Sequence, residues 1–182
     1  MTEPVTLAEL KSHLRITHTR HDTMLTSLIV VARELVERDT WRSLVPISRT
    51  IKRRSFPCGD ELLYLPSPPF RSLTSISYLD TAGESQTLTG CRTDTLHEPG
   101  TIEPAHGLTW PSTRDDPSGV TIVFACGYTD ADAVPTPLKQ AILLLAAEAY
   151  EHDRPVEIKP RTTLDRLLEK YRVRHVGMLE NI

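Results

Sequence analysis

The chain has 182 residues, with 39% hydrophobic, 25% charged and only 5% aromatic residues. Twenty-one Lys and Arg stand against 24 Asp and Glu, a net charge of -3. This is enough chain for one compact domain, or for one domain carrying a smaller insert. The mild acidity argues against a free duplex-DNA binder or a polybasic membrane module, which carry a basic surplus.

Met1 to Val5 has neither a positive stretch nor an apolar one, so no secretory leader is expected. Thr6 is followed three residues later by Glu9, with Leu7, Leu10 and Leu14 behind. That is a capping box, and it predicts a short helix over Leu7 to Leu14. Asp22 is the expected cap of a second helix. Leu25, Leu28, Ile29, Ala32, Leu35 and Val36 form its apolar stripe, with Arg33, Glu34, Glu37 and Arg38 mostly on the other side. Thr40, Trp41 and Pro46 end it.

From Val45 to Tyr128 the pattern changes. ISRTIKRRSF, ELLYLP, SLTSISYLD, ESQTLTG and VTIVFACGY are short, and several are β-branched or alternating. Turn residues such as Gly59-Asp60, Ala82-Gly83 and Pro99-Gly100 punctuate them. The strands follow too closely for helical crossovers, so an antiparallel sheet or a small barrel-like insert is expected. His97 to Asp116 reads as loop. Cys58, Cys91 and Cys126 are odd in number and widely spaced, which favours reduced thiols over a disulfide framework. Cys126 is expected to fill core space.

Helical periodicity then returns. Thr136 and Pro137 open a helix whose stripe is Leu138, Ala141, Ile142, Leu145, Ala146 and Ala149, widened by Leu143 and Leu144. It should be buried on most sides. The apolar run Ala141 to Ala147 is far too short for a membrane span, and no membrane partner is expected. A last helix is predicted from Thr162 or Thr163 to Tyr171. The expected fold is α+β: a core of about four helices built from both termini (residues 1–44 and 136–182), interrupted by an antiparallel β-rich subdomain (45–135).

The charges divide along the same lines. Residues 1–44 carry six positive and six negative groups, 45–135 carry seven and eleven, and 136–182 carry eight and seven. Lys159 to Arg174 holds six basic groups and two acidic ones, a local basic end.

Few side chains point to chemistry. His18 and His21 lie three apart without carboxylate partners, a weak zinc pattern. Asp115-Asp116 lacks the ligand periodicity of a calcium loop and reads as a solvated turn. No phosphate-cradling glycine loop and no GxSxG motif occur. Glu148, Glu151 and His152 are the one carboxylate–imidazole constellation, and they lack the second Glu-x-x-His of a di-iron bundle. No catalytic residue, metal or cofactor is therefore expected. Arg49, Lys52, Arg53 and Arg54 form a basic patch. In a strand, Arg49 and Arg53 point with Ile51, and Lys52 and Arg54 point the other way. That alternation suits a protected edge strand or a protein interface. Leu63, Leu65, Phe70, Tyr78 and Trp110 read as core or interface positions.

The order of segments carries more than any motif. VTLAELKSHLRI followed by DTMLTSLIVVARELVERDTW resembles the start of tailed-phage head-tail connector (adaptor) proteins of the gp6-like and gp8-like group. ELLYLPSPPFRSLTSISYLDTAGE, VTIVFACGYTDADAVPTPLKQAILLLAAEAYEHDRP and LLEKYRVRHV resemble later parts of the same family. The resemblance weakens over about Leu88 to Pro117. It implies a structural subunit without enzymatic activity. Such a subunit forms a ring, usually dodecameric, beneath the portal at the virion neck after assembly in the host cytoplasm. It implies the portal and a tail or stopper protein as partners, with duplex DNA passing through the channel in weak non-specific contact. By similarity, the portal-contacting segment falls on Tyr171, Arg172, Val173, Arg174 and His175. A tail-completion protein one ring further down, a DNA-packaging accessory, or a metal enzyme at Glu148, Glu151 and His152 are the alternative readings.

Overall fold

The computed structural model describes residues 2–152 and 162–173. The chain divides into two compact units, one built from Met1–Val45 with Tyr128–Arg172, the other centred on Pro46–Gly127.

The first unit is helical. It contains α1 (Leu7–Leu14), α2 (Asp22–Thr40), α3 (Thr136–His152) and α4 (Thr162–Glu169). The capping box of α1 forms as read: the Thr6 hydroxyl accepts from the Glu9 amide, and the Glu9 carboxylate accepts from the Thr6 amide at 2.6 Å. These hydrogen bonds hold the Glu9 carboxyl below the usual carboxylate range. Asp22 is not the cap of α2. His21 occupies that position without a side-chain cap, and Asp22, already helical, accepts from Lys11 Nζ at 2.7 Å and ties α2 to α1. Trp41, in the left-handed conformation, ends the helix.

The apolar stripes meet in one core. Leu25, Ile29, Ala32 and Val36 of α2 pack with Leu138, Ala141, Ile142, Leu145 and Ala146 of α3, and with Leu10 and Leu168. Each fully buried Leu or Ile contributes about 1.5–3 kcal/mol. Leu143 and Leu144 are half-buried, so α3 is covered on most sides as its broad stripe predicts. Arg33 departs from the expected outward face and is only 9% exposed. Its ion pairs, described below, make that burial tolerable.

The second unit holds two antiparallel sheets. The larger contains β1 (Ile47–Arg53), β3 (Phe70–Leu79), β4 (Ser85–Leu88) and β7 (Val120–Cys126), in the order β1-β7-β3-β4. The smaller contains β2 (Leu63–Tyr64), β5 (Arg92–Asp94) and β6 (Thr101–Glu103), in the order β2-β6-β5. β7 alternates strictly: Val120, Ile122, Phe124 and Cys126 are buried, and the residues between them are half-buried. These four pack with Leu63, Leu65, Phe70, Ile76, Ile102, Phe56 and Trp110. The Trp110 ring stacks on Phe56 with centroids 4.8 Å apart, and its indole N–H donates to the Glu61 carbonyl. β6 corrects the loop reading of 97–116, and β5 was likewise not anticipated. Both strands are three residues long and too polar for an alternation to register.

Gly100 is fixed by packing. A Cβ there would lie 2.4 Å from Phe70 Cβ, a buried position with no slack. Gly100→Ala is expected to lower unfolding free energy by about 1–3 kcal/mol, the range for overpacking, in denaturant titration. The Glu9 carboxyl generates a second expectation. Its lowered pKa adds stability above the unfolded carboxylate pKa, and that stability is lost as pH falls through the folded value. Thr6→Ala should cost about 1 kcal/mol at neutral pH. The variant's deficit should shrink in acid, measured by thermal unfolding across pH.

Candidate functional site

The basic patch lies on β1, an edge strand of the larger sheet. Ile47 pairs with Cys126, Arg49 with Phe124, Ile51 with Ile122 and Arg53 with Val120. Arg49 and Arg53 therefore share the core-facing side with Ile47 and Ile51, and Lys52, opposite Thr121, points the other way. The strand alternation expected from the sequence is present, and it splits the cations between two faces. Arg53 is half-buried, and desolvation lowers its pKa, although a guanidinium remains charged near neutrality. Arg54 lies 3.3 Å from Asp115 in an exposed pair.

The C-terminal candidates fall at the end of α4. The Arg172 guanidinium donates to Asp39 at 2.7 and 3.2 Å, and to Asp165 at 2.8 Å. The bond to Asp39, then that to Asp165, raises its pKa further. The Tyr171 carbonyl accepts from Arg42 Nε at 2.6 Å, and the Arg42 guanidinium carbon is 5.9 Å from the Tyr171 ring centroid. Tyr171 also packs against the helical core. Val173 is half-buried. Arg174 and His175 lie outside the described residues. The structure therefore brings Tyr171 and Arg172 onto the end of α2, through Asp39 and Arg42, which the sequence reading did not single out.

One turn earlier on α2 sits a second charged cluster. Arg33 donates to Glu3 at 2.8 Å and to Glu37 at 2.6 Å, with Glu34 at 3.4 Å. The other oxygen of Glu37 accepts from the Leu44 amide at 2.6 Å. The two clusters fasten the N-terminal arm, the exit from α2 and the end of α4 to one helix.

The remaining candidates do not assemble into chemistry. Glu148 is half-buried, Glu151 is exposed, and the side chain of His152 lies outside the described residues. His18 is exposed, whereas His21 Nδ1 is 2.7 Å from the Tyr150 hydroxyl. Asp116 accepts from the Ser118 amide, consistent with a turn. Among the described residues, no group of three or more His, Cys, Asp and Glu is placed to hold a metal, and no helix is long and apolar enough to cross a membrane.

The two charged clusters differ in burial, and that difference is measurable. Arg33→Ala leaves the half-buried carboxylates of Glu3 and Glu37 without their cation and should cost about 2–3 kcal/mol. Arg172, which is 37% exposed at its side chain, should cost about 0.5–1 kcal/mol when changed to Ala. Urea titration of both variants, with an Asp39–Arg172 double-mutant cycle, checks the ranking.

Residues 4–64 match the family described as Phage gp6-like head-tail connector protein. No curated protein matches the chain. Among solved structures, a chain from the neck of an empty GTA particle, computed with C6 symmetry, is 27% identical with a TM-score of 0.75. The alignment covers 96% of this chain and 92% of that one. A chain from the neck of the native GTA particle, computed with C12 symmetry, is 26% identical with a TM-score of 0.74, covering 94% and 90%. A chain from the virion of the native gene transfer agent particle is 25% identical with a TM-score of 0.77, covering 97% and 95%. The resemblance read from the order of segments is borne out. By sequence over its first third and by fold over nearly all of its length, the chain is similar to the head-tail connector and neck proteins of phage-like particles.

Proposed function

We propose that the chain is a structural subunit of the head-tail connector, assembled as a ring beneath the portal and joining the capsid vertex to the tail or a stopper. The observation that carries this reading is the match, over 94% of the chain, to a chain from the neck of the native GTA particle, computed with C12 symmetry. The gp6-like match over residues 4–64 supports it independently. In this reading residues 1–44 and 136–182 form the connector core, and 45–135 form the inserted subdomain. The DNA channel runs through the ring, and a protein without a net basic surplus lets the duplex slide rather than gripping its phosphates.

The portal contact is assigned to the C-terminal end. The fixed end of α4 supports this, because the Arg172 pairs with Asp39 and Asp165 give the following residues a defined starting point. A deletion that removed Arg172 would also remove those pairs, so the discriminating deletion begins at Arg174. Mixed with purified portal, the full chain is expected to form a stoichiometric complex in size-exclusion chromatography with mass detection. Deleting 174–182 should weaken that complex at least tenfold, with the chain's own melting unchanged. Undiminished binding by the deleted chain would remove the assignment.

A further inference from the structure

We infer that neighbouring copies join edge to edge through the larger sheet, β1 of one copy against β4 of the next. The inference rests on the ring reading above and names the contact that would close the ring.

β1 and β4 are the two edges of one sheet. A ring needs a head-to-tail contact between two different surfaces, and the opposite edges of a sheet are two such surfaces. Direction fits first. All three strand pairs are antiparallel, so β1 and β4 run in opposite senses. Placing a second copy in the same orientation beside the first sets β4 antiparallel to β1, the favoured ladder.

Charge fits next. Arg53, Val120, Tyr78 and Gln86 lie in one row across the sheet, and Lys52, Thr121, Ser77 and Thr87 form the adjacent row. The cations Lys52, Arg53 and Arg54 thus stand at the same end of the sheet as the β3–β4 turn, which carries Asp80 and Glu84. Asp80 is held there by the Ala82 and Glu84 amides and by Gln86. Those hydrogen bonds, the one from Gln86 largest, hold its carboxyl below the usual carboxylate range. Arg114 reaches the same turn beside Gly83 and offsets part of that charge. In a level register the cationic end of β1 meets the acidic turn of the next copy. Ile51 then meets Leu88, and both already pack against the same core.

β1 itself brings no carboxylate to a second β1, whereas the β3–β4 turn of a translated copy brings Asp80 and Glu84 to the cationic end.

The test uses the full chain in a Cys58→Ser, Cys91→Ser background. Lys52→Cys and Thr87→Cys in one chain place a thiol on each edge in the same row. On rings assembled with portal, a short bismaleimide should give a covalent ladder of multimers, and each single-cysteine chain should give none. Lys52→Glu with Arg54→Glu should cut ring yield at least tenfold while the monomer's circular dichroism stays unchanged. Adding Glu84→Lys should restore most of it. Rings of undiminished yield from the charge-reversed chain, with no ladder from the double-cysteine chain, overturn the edge contact and leave the ring reading standing. Failure of the unaltered chain to form rings on portal overturns both.

Discussion

The end of α2 is the constraint on which the helical unit depends. Arg33 and Glu37 hold the N-terminal arm and the Leu44 amide, and Asp39 and Arg42 hold the end of α4. These are not four independent contacts. They fall between Arg33 and Arg42, and together they join α2 and its exit to the flanking segments. The stripe packs α2 on α3, which is non-directional. The charged groups decide where the flanking segments start and stop, because a hydrogen-bonded guanidinium tolerates few geometries.

The helical core also has an unusual chain path. α1 and α2 come from the start of the sequence, and α3 and α4 follow the β-rich unit. Neither pair covers its own stripe. Leu25, Ile29 and Val36 find their partners in Leu138, Ile142 and Leu145, more than a hundred residues on. Closing so long a loop costs only slowly more entropy as it lengthens. A unit of Pro46–Gly127 with its own buried core can therefore stand between them without undoing the helix packing.

What the sequence disclosed follows from this. Periodicity is a local property, so α2, α3 and β7 were readable from their own residues, and so was the Thr6–Glu9 box. Cys126 in its alternating run was correctly placed in the core. Arg33 departs from the outward face because its angular position lies at the border of the stripe. Its burial depends on Glu3, thirty residues away in sequence. Arg172 and Asp39 lie 133 residues apart, and no local pattern links them. Asp22 shows the opposite failure. A good capping residue stood at the right place, and a lysine on the preceding helix engaged it instead. β5 and β6 were lost because three residues cannot display a period of two with any contrast.

The net charge of the chain is a poor guide to its surfaces. A value near zero arises here from local concentrations that cancel, six basic groups against two acidic ones between Lys159 and Arg174, and an acidic excess in 45–135. Within that acidic excess, Arg49, Lys52 and Arg53 lie on one edge strand and Arg54 directly follows it. Coulomb interactions between exposed groups fade within about 8–10 Å at physiological salt. What a neighbouring surface senses is therefore the charge of the facing strand and turn, not the sum over the chain. A sheet with cations at one end of one edge strand and carboxylates in the turn leading to the opposite edge strand has a built-in polarity that suits a translated copy. Such polarity distinguishes a chain that can repeat around an axis from one that closes on itself in pairs.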